Sequence, residues 1–391
     1  MPLRYLTAGE SHGRGLSGIL EGMPSGLPCD VAYIHRELKR RKLGYGRGAR
    51  QKLEDDAVEI LTGVRHGYTL GSPICLLVMN KDWRNWETIM SVSPLPEGTE
   101  VKRKVAIPRP GHADLVGGIK YDHSDMRNVL ERSSARETTI RVAIATVARR
   151  FLEELGIHVA SRVVRVGATF DPTPFTGHVG ELNALVDESP LRVLGKDSEK
   201  SMVAQVEQCK KDGDTLGGVF EVFASGVPVG LGSYAQWDRR IEGKIGQQFL
   251  SLNAIKGVEV GLGFGAAVVQ GSSAHDELEP GKYTGRPRYL TNRSGGIDGG
   301  MTTGQPIVVR AAMKPISTLM QPLRSVDLAT NQPASAHIER SDICAVPAAA
   351  VIGESLLALV VAEEILEKFG GDSMGELKTR FEAWHSATRS E

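Results

Sequence analysis

The pattern of apolar and polar residues predicts a helix close to the amino terminus. Val31, Ile34 and Leu38 recur at helical spacing. Asp30 precedes them at the position of a cap, so we expect a helix over 30–42. The last four residues of this helix read Lys-Arg-Arg-Lys, which makes its carboxyl end strongly basic.

Two longer helices are predicted further along the chain. The first covers 134–155, where Ser134 and Glu137 have the spacing of a capping box and a glycine follows the last helical residue. The second begins at Pro347, a residue favoured in the first turn of a helix, and ends near Gly370.

Short apolar stretches bounded by glycine or proline predict β-strands. We expect these strands over 58–61 and 73–79 and around Val163, Val203, Val219 and Val258. Strands and helices do not alternate as regular strand–helix–strand units, so the pattern favours an α+β fold over a doubly wound parallel sheet. Because no repeat, linker or change in composition divides the chain, we predict a single domain over 1–391.

Composition narrows the classes of ligand. Lys plus Arg and Asp plus Glu number 47 each, so the formal net charge is zero. A neutral chain has no bulk attraction for nucleic acid or membrane, and we expect neither as a partner. An anionic ligand must then be held by a local cluster of cations. The 45 glycines predict many tight turns and close approaches of backbone to a ligand.

The four cysteines lie far apart and form no CxxC pair, which excludes the common zinc and redox spacings, and we expect no metal site. The amino terminus lacks the apolar run of a signal peptide. The most apolar stretch, 346–362, contains a proline and a glutamate and is short for a membrane span. We therefore expect a cytoplasmic protein.

Two histidines lie in short loops that contain glycine, His12 within 9–15 and His112 within 109–114. Imidazole titrates near neutral pH, so either ring could serve as a general acid. The alternative for each is a turn histidine that only bonds nearby backbone.

Arginines alternate with glycines over 40–50, where Arg41, Arg47 and Arg50 can converge on one ligand. The guanidinium group matches carboxylate and phosphate oxygens, which favours an anion site. A solvated basic face is the alternative, and a non-catalytic protein that binds phosphorylated ligands is the corresponding function.

Two further segments precede predicted helix starts. Residues 131–137 combine Ser134 and Arg136 with the free amides of a helix start, an arrangement that binds anions or simply caps a helix. Residues 340–347 place Arg340 beside Asp342, which could be a proton-transfer pair, a salt bridge or a cap.

Two other patterns are weaker. The glycines of 261–266 fit the loose dinucleotide pattern and would suit an NAD(P)-dependent oxidoreductase, but the residues after them do not predict the required helix. The Ser11-His12 pair lacks the GxSxG motif of a hydrolase.

Taken in order, these segments resemble the chorismate synthase family over about 7–354. The matching segments are Gly9–Gly13 through Glu21–Pro24, Glu131–Arg136, and Arg340–Asp342 through Gly353–Ser355, with 109–114, 253–259, 292–300 and 314–318 between them. Their order along one chain makes coincidence very improbable. Residues 173–200 and the tail after Phe369 match nothing that we can assign.

The resemblance implies a sandwich of helices between antiparallel β-sheets and a homotetramer. It implies the anti-1,4-elimination of phosphate from 5-enolpyruvylshikimate 3-phosphate to give chorismate, the last common step towards the aromatic amino acids. Reduced FMN would be required without net redox change, and NADPH would act only indirectly, by keeping the flavin reduced. Because we find no additional reductase segment, we expect a separate flavin reductase.

The resemblance also implies roles for individual residues. His12 would protonate the leaving phosphate, His112 would stabilise the charge of the reduced flavin, and Asp342 would assist removal of the ring proton. The substrate carboxylates and phosphate would be held by Arg41, Arg47, Arg50 and Arg136. The flavin would be lined by Arg109, Ser134, Ala135, Arg136, Asn253, Ala254, Gly300, Lys314, Pro315, Ile316, Ser317, Thr318 and Arg340.

Overall fold

The structure is a computed structural model that describes residues 3–48, 56–281, 286–339 and 341–388. Its helices are α1 (Val31–Lys42), α2 (Asp114–Tyr121), α3 (Arg127–Ser133), α4 (Thr138–Glu153), α5 (Val179–Val186), α6 (Lys196–Lys211), α7 (Ile241–Leu250), α8 (Gly271–Ala274), α9 (Val346–Phe369) and α10 (Met374–Thr388). Its strands are β1 (Arg4–Ala8), β2 (Gly15–Glu21), β3 (Val58–Thr62), β4 (Val64–Arg65), β5 (Tyr68–Thr69), β6 (Ile74–Met79), β7 (His158–Val166), β8 (Thr169–Phe170), β9 (Gly218–Ser225), β10 (Ile255–Val260), β11 (Leu278–Glu279), β12 (Arg288–Tyr289), β13 (Ile297–Asp298), β14 (Met301–Thr302), β15 (Ile307–Met313), β16 (Arg324–Asp327) and β17 (Gln332–Ser335).

Two antiparallel sheets enclose a layer of helices. The first has the strand order β1-β2-β6-β3, and the second has the order β10-β15-β9-β7-β8. The remaining strands form two-stranded pairs in the connections.

The first sheet buries one face, and burial alternates along β2 and β6. Leu16 and Leu20 of β2 are buried, as are Ile74, Leu76 and Val78 of β6. Their side chains share one face, since residues two apart in a strand point the same way. This face packs against α4.

Helices fill the space between the sheets. Helix α9 is buried over most of its length and packs against α4 on one side and against β7 and β9 on the other. Helices α1 and α7 lie beside it. The α+β prediction, with helices between antiparallel sheets, is therefore confirmed. Neither α9 nor any other helix of the described ranges combines the length and apolarity needed to cross a bilayer.

The segment that the sequence left unassigned forms an additional layer. Val179, Leu182 and Val186 of α5 pack against Ala160 and Phe223 on the outer face of the second sheet. A second, smaller apolar cluster therefore covers this sheet from outside.

A buried ion cluster joins α9 to its neighbours. Glu354 is fully buried and accepts hydrogen bonds from Arg40 (2.9 and 3.0 Å), Arg192 (3.0 Å), Ser161 (2.6 Å) and Asn183 (3.1 Å). Arg149 pairs with the same carboxylate at 2.5 Å. Burial alone would raise the pKa of Glu354, but the three arginines outweigh it and hold the pKa far below its usual range.

The boundaries of several elements correct the sequence predictions. Val203 lies in α6, so the strand predicted around it is wrong. The helix predicted from Ser134 begins as a 3₁₀ turn at 135–137 and becomes α-helical at Thr138. Ser134 Oγ accepts from the Arg136 amide, but Glu137 pairs with Arg141. The predicted helices near 30–42 and from Pro347 to Gly370 are confirmed.

Candidate active site

A cavity of about 620 Å³ lies where loops from several elements meet. This volume falls in the range of roughly 300–1,000 Å³ that is typical of small-molecule sites. Its wall is built by the loop after β1, the end of α1, the loop before α2, the turn before α4, the segment before β10, the segment after β15 and the segment that leads into α9.

His12 is held in this wall by a carboxylate. Its Nδ1 lies 2.9 and 3.0 Å from the two carboxylate oxygens of Glu131, and its backbone N–H donates to Glu131 Oε2 over 2.8 Å. The ring also stacks on Trp86, with centroids 3.7 Å apart. Because Nδ1 is engaged, Nε2 is the ring nitrogen left for a ligand in the cavity. Glu131 is 119 residues away from His12 in the sequence. His12 is therefore not a turn histidine that only bonds nearby backbone.

The loop that carries His12 requires a glycine at its start. Gly9 has φ +110°, and a Cβ there would lie 2.4 Å from the carbonyl oxygen of Gly15. A larger residue would force the loop between β1 and β2 apart. The glycine therefore allows the loop to fold back and bring His12 to Glu131.

Glu131 has its own cationic partner. Arg127 Nη1 lies 3.2 Å from Glu131 Oε1 and donates to Glu339 over 2.9 Å. Burial alone would raise the pKa of Glu131, but hydrogen bonding and charge from His12, with the charge of Arg127, lower it. Glu131 is therefore ionised at neutral pH.

His112 has a similar arrangement. Its Nδ1 lies 2.6 Å from Asp114 Oδ1, and Asp114 also accepts from Arg109 Nε over 2.9 Å. Burial alone would raise the pKa of Asp114, but these partners hold it far below its usual range. Each cavity histidine is thus paired with a buried carboxylate that an arginine also contacts.

The predicted substrate arginines converge on the cavity. Arg41 is buried and donates to Thr138 and to the carbonyl of Ala135. Arg136 lies 3.4 Å from Asp56, and Arg41 lies 3.9 Å from the same carboxyl group. Both side chains are buried, so the solvated-face alternative, which concerned the basic loop, is wrong for Arg41. Arg50 lies outside the described residues.

Asp342 contacts the basic loop. Its Oδ1 accepts from the Gly48 amide over 2.6 Å, and its Oδ2 lies 3.2 Å from Arg47 Nη1. The N-cap of α9 is Ala345, so Asp342 does not occupy the capping position. Asp342 is therefore an ion-pair partner in the cavity wall, and the alternative of an ordinary helix cap is wrong.

Most residues predicted for the flavin also line the cavity. They are Arg109, Ser134, Ala135, Arg136, Asn253, Ala254, Lys314, Pro315, Ile316, Ser317 and Thr318. Gly300 lies elsewhere, beside Ser233 and Arg240 at the start of α7, and does not line this cavity. Arg340 falls outside the described residues.

The glycines at 261–266 do not form a dinucleotide site. They follow β10, which lies in an antiparallel sheet, and continue into a 3₁₀ helix at 263–268. A Cβ at Gly261 would lie 2.2 Å from the carbonyl oxygen of Arg293. The glycine serves a tight turn, and the parallel strand–helix unit that the dinucleotide pattern needs is not present at this position.

Three functional candidates were missed by sequence reasoning: Glu131, Asp114 and Trp86. Glu131 lies in the segment around Ser134, and Asp114 lies in the segment around His112. A carboxylate in a segment already singled out for its histidine or arginine could have been predicted as a partner. Trp86 lies in a loop without any motif, and nothing in its surroundings indicates His12 as its neighbour.

The fold and the cavity define a class of enzyme whose site combines arginines with carboxylate-paired histidines, a composition suited to a polyanionic ligand. The model of the family described as chorismate synthase matches residues 3–366. A chorismate synthase from Listeria welshimeri is 52% identical over 99% of this chain and 100% of its own length. One from Geobacillus sp. is 53% identical over 97% of this chain and 98% of its own.

A solved structure agrees with these relatives. A crystal structure of a chorismate synthase superimposes with a TM-score of 0.79 at 42% identity, over 100% of this chain and 99% of that one. The chain belongs to the chorismate synthase family. The protein is a carbon–oxygen lyase, and the reaction of its family removes phosphate from 5-enolpyruvylshikimate 3-phosphate to give chorismate.

Proposed function

We propose that this chain performs the phosphate elimination in the cavity described above and requires reduced FMN. One observation carries the proposal: two carboxylate-paired histidines and a cluster of buried arginines line the same cavity. Such a site suits a substrate with two carboxylates and a phosphate whose leaving group needs a proton.

The arginines bind the substrate. Arg41, Arg47 and Arg136, with Arg50 as a further candidate, hold the carboxylates and the phosphate through charge-assisted hydrogen bonds. Arg47 Nε is buried and has no hydrogen-bond partner in the described part of the chain, so it has a donor to offer. Cations that the protein holds in position stabilise the developing charge of phosphate more strongly than bulk solvent does.

The proton steps are assigned to three side chains. The C–O bond to phosphate and one ring C–H bond break, a C=C bond forms, and substrate and product have the same oxidation level. His12 Nε2 donates a proton to the leaving phosphate. Asp342 assists the departure of the ring proton, and His112 stabilises negative charge on the flavin.

The cavity also fits a flavin beside the substrate. The buried atoms Asn253 Oδ1 and Ser133 Oγ have no hydrogen-bond partner among the described residues and can meet polar groups of a flavin. Arg109 and Lys314 supply cations on the same side as Thr318. Reduced FMN held by these residues would supply electron density for the elimination.

The test compares flavin oxidation states under strict anaerobiosis. The protein is mixed with 5-enolpyruvylshikimate 3-phosphate and either reduced or oxidised FMN, and released phosphate is measured. We expect release with reduced FMN only. Equal release with oxidised FMN would contradict the flavin requirement. In a parallel mixture with added NADPH, stoichiometric consumption of the nicotinamide would indicate an oxidoreductase.

We further propose that the protein acts in the cytoplasm as a homotetramer and receives reduced flavin from a separate reductase. NADPH then contributes only through that reductase. Incubation of the purified protein with NADPH, oxidised FMN and substrate should give no phosphate. Turnover in that mixture would mean that the protein reduces its own flavin.

A further inference from the structure

The contact between Glu131 and His12 fixes both the position and the orientation of the imidazole ring. One carboxylate reaches both the Nδ1 atom and the backbone N–H of the same histidine. Trp86 restricts the plane of the imidazole from a second direction, with an interplanar angle of 17°. The Glu131 side chain is 1% exposed, so water does not weaken these bonds. His12 therefore has one orientation, with Nδ1 on the carboxylate.

The charges around His12 make this carboxylate important for protonation. Arg127 of α3 contacts Glu131, Glu339 contacts Arg127, and Arg103 lies over Trp86. Across the cavity lie Asp342 and the cations Arg41, Arg47, Arg109, Arg136 and Lys314, together with His112. Glu131 is the carboxylate in direct contact with the imidazole among the described residues, which makes it the anion placed to balance a charged ring.

We propose that Glu131 is a positioning residue for the elimination: it holds His12 with Nε2 available to the cavity and stabilises the protonated ring that donates to the leaving phosphate. The inference rests on the general-acid role proposed above for His12. Glu131 itself does not line the cavity and acts through the imidazole.

The central experiment is Glu131→Gln, which keeps the shape of the side chain and removes its charge. We expect kcat to fall about tenfold to a hundredfold, less than the roughly 10²–10⁴-fold that a general acid contributes. The alkaline limb of the kcat profile should move to lower pH, because the imidazolium loses its negative partner. Substrate and FMN dissociation constants should change little.

Glu137→Gln is the matched control. Glu137 is also a buried carboxylate paired with an arginine four residues away, Arg141, but it does not touch His12. Each variant loses one helix ion pair, so stability should fall in both. Only Glu131→Gln should shift the alkaline limb of the kcat profile. An equal shift of the alkaline limb in Glu137→Gln would overturn the inference.

A double variant separates this inference from the proposed function. If Glu131 acts through His12, Glu131→Gln should lower kcat no further in a His12→Ala background. A further fall there, or an unchanged limb in the single variant, overturns the positioning role. Normal turnover by His12→Ala would instead overturn the general-acid assignment. If Glu131→Gln does not fold by circular dichroism, Glu131→Asp keeps the charge and should keep the limb, whereas a shifted limb would contradict the inference.

Discussion

Single residues of the cavity differ in how far their charges are already paired. Arg41 has its donors on Thr138 and Ala135, whereas Arg47 contacts only Asp342 among the described residues and has an unpaired Nε. Arg47 therefore has more capacity to bind a ligand. A charge-assisted bond contributes about 1.5–3 kcal/mol, so Arg47→Ala should weaken substrate binding about tenfold to a hundredfold, as measured by titration calorimetry.

The exposed Arg65 of β4 provides the control for that experiment. It lies outside the cavity lining, so Arg65→Ala should leave substrate affinity unchanged while removing the same charge. If both variants weaken binding equally, the effect is one of net charge, and Arg47 has no specific role.

Asp342 gives a second prediction at this scale. Asp342→Asn preserves an acceptor for the Gly48 amide but removes the base and the ion pair with Arg47. We expect a large fall in kcat with FMN affinity little changed, measured by steady-state kinetics and flavin titration. Because Asp342 does not cap α9, the melting temperature should change little, and wild-type turnover with a lowered melting temperature would contradict the catalytic role.

Sequence reasoning found the histidines but not what holds them. His12 and Glu131 are separated by 119 residues, and Trp86 lies in a loop between them. The residue types and their spacing along the chain do not show which distant residues come into contact. Those contacts depend on how β2 and α4 pack. The short segment around His112 and Asp114 is different, because the two partners are only two residues apart and the sequence alone could have shown the pairing that we missed.

At the level of elements, the cluster around Glu354 predicts a strong effect on stability. Glu354→Gln leaves Arg40, Arg149 and Arg192 buried near one another without the central carboxylate. Breaking a buried charge network of this kind costs about 3–5 kcal/mol. Denaturant unfolding at neutral pH should show this loss, with the exposed Asp197→Asn as a control that changes stability little.

The contribution of the Glu354 carboxylate to stability depends on pH in a defined way. Its pKa is lowered in the folded protein, so its contribution to stability is complete above the ordinary range of about pH 4–5 and decreases only as the pH falls further. The difference between wild type and Glu354→Gln should therefore be constant between about pH 5 and 8. A difference that disappears within that window would contradict the buried ion pairs.

Elements with a sustained apolar period could be predicted from the sequence. A single apolar residue did not predict the element that contains it. Helix α9 was recognised from its long apolar run between proline and glycine. Val203 suggested a strand, but Met202, Val206 and Cys209 are buried on one side of α6, and this helical spacing decided the structure. Helix α3 has only seven residues, most of them polar, so no apolar period predicted it.

At the scale of the whole molecule, exposed apolar residues on the first sheet are relevant to the assembly of subunits. The outer face of the first sheet exposes Leu6 by 70%, Leu61 by 53% and Ile19 by 44%. Apolar patches on a sheet are typical of subunit interfaces. We expect sedimentation equilibrium to give four times the subunit mass of 42.2 kDa. A mass equal to one subunit would contradict the homotetramer.

The sandwich arrangement itself followed from resemblance and not from the apolar pattern. Period and polarity predicted separate helices and strands, but which sheet α9 would face depends on contacts such as that of Gly353 with Phe220, where an added Cβ would lie 2.7 Å from the ring. The single-domain assignment over 1–391 remains a prediction.

The stacking of Trp86 on His12 also provides an optical probe. A protonated imidazole acts on the π-system of an indole as a cation, so the emission of Trp86 should depend on the charge of the ring 3.7 Å away. The fluorescence of Trp86→Phe, subtracted from that of the wild type, isolates this signal from the other three tryptophans. The protonation of His12 can then be followed by light emission in the resting protein, without substrate, flavin or turnover.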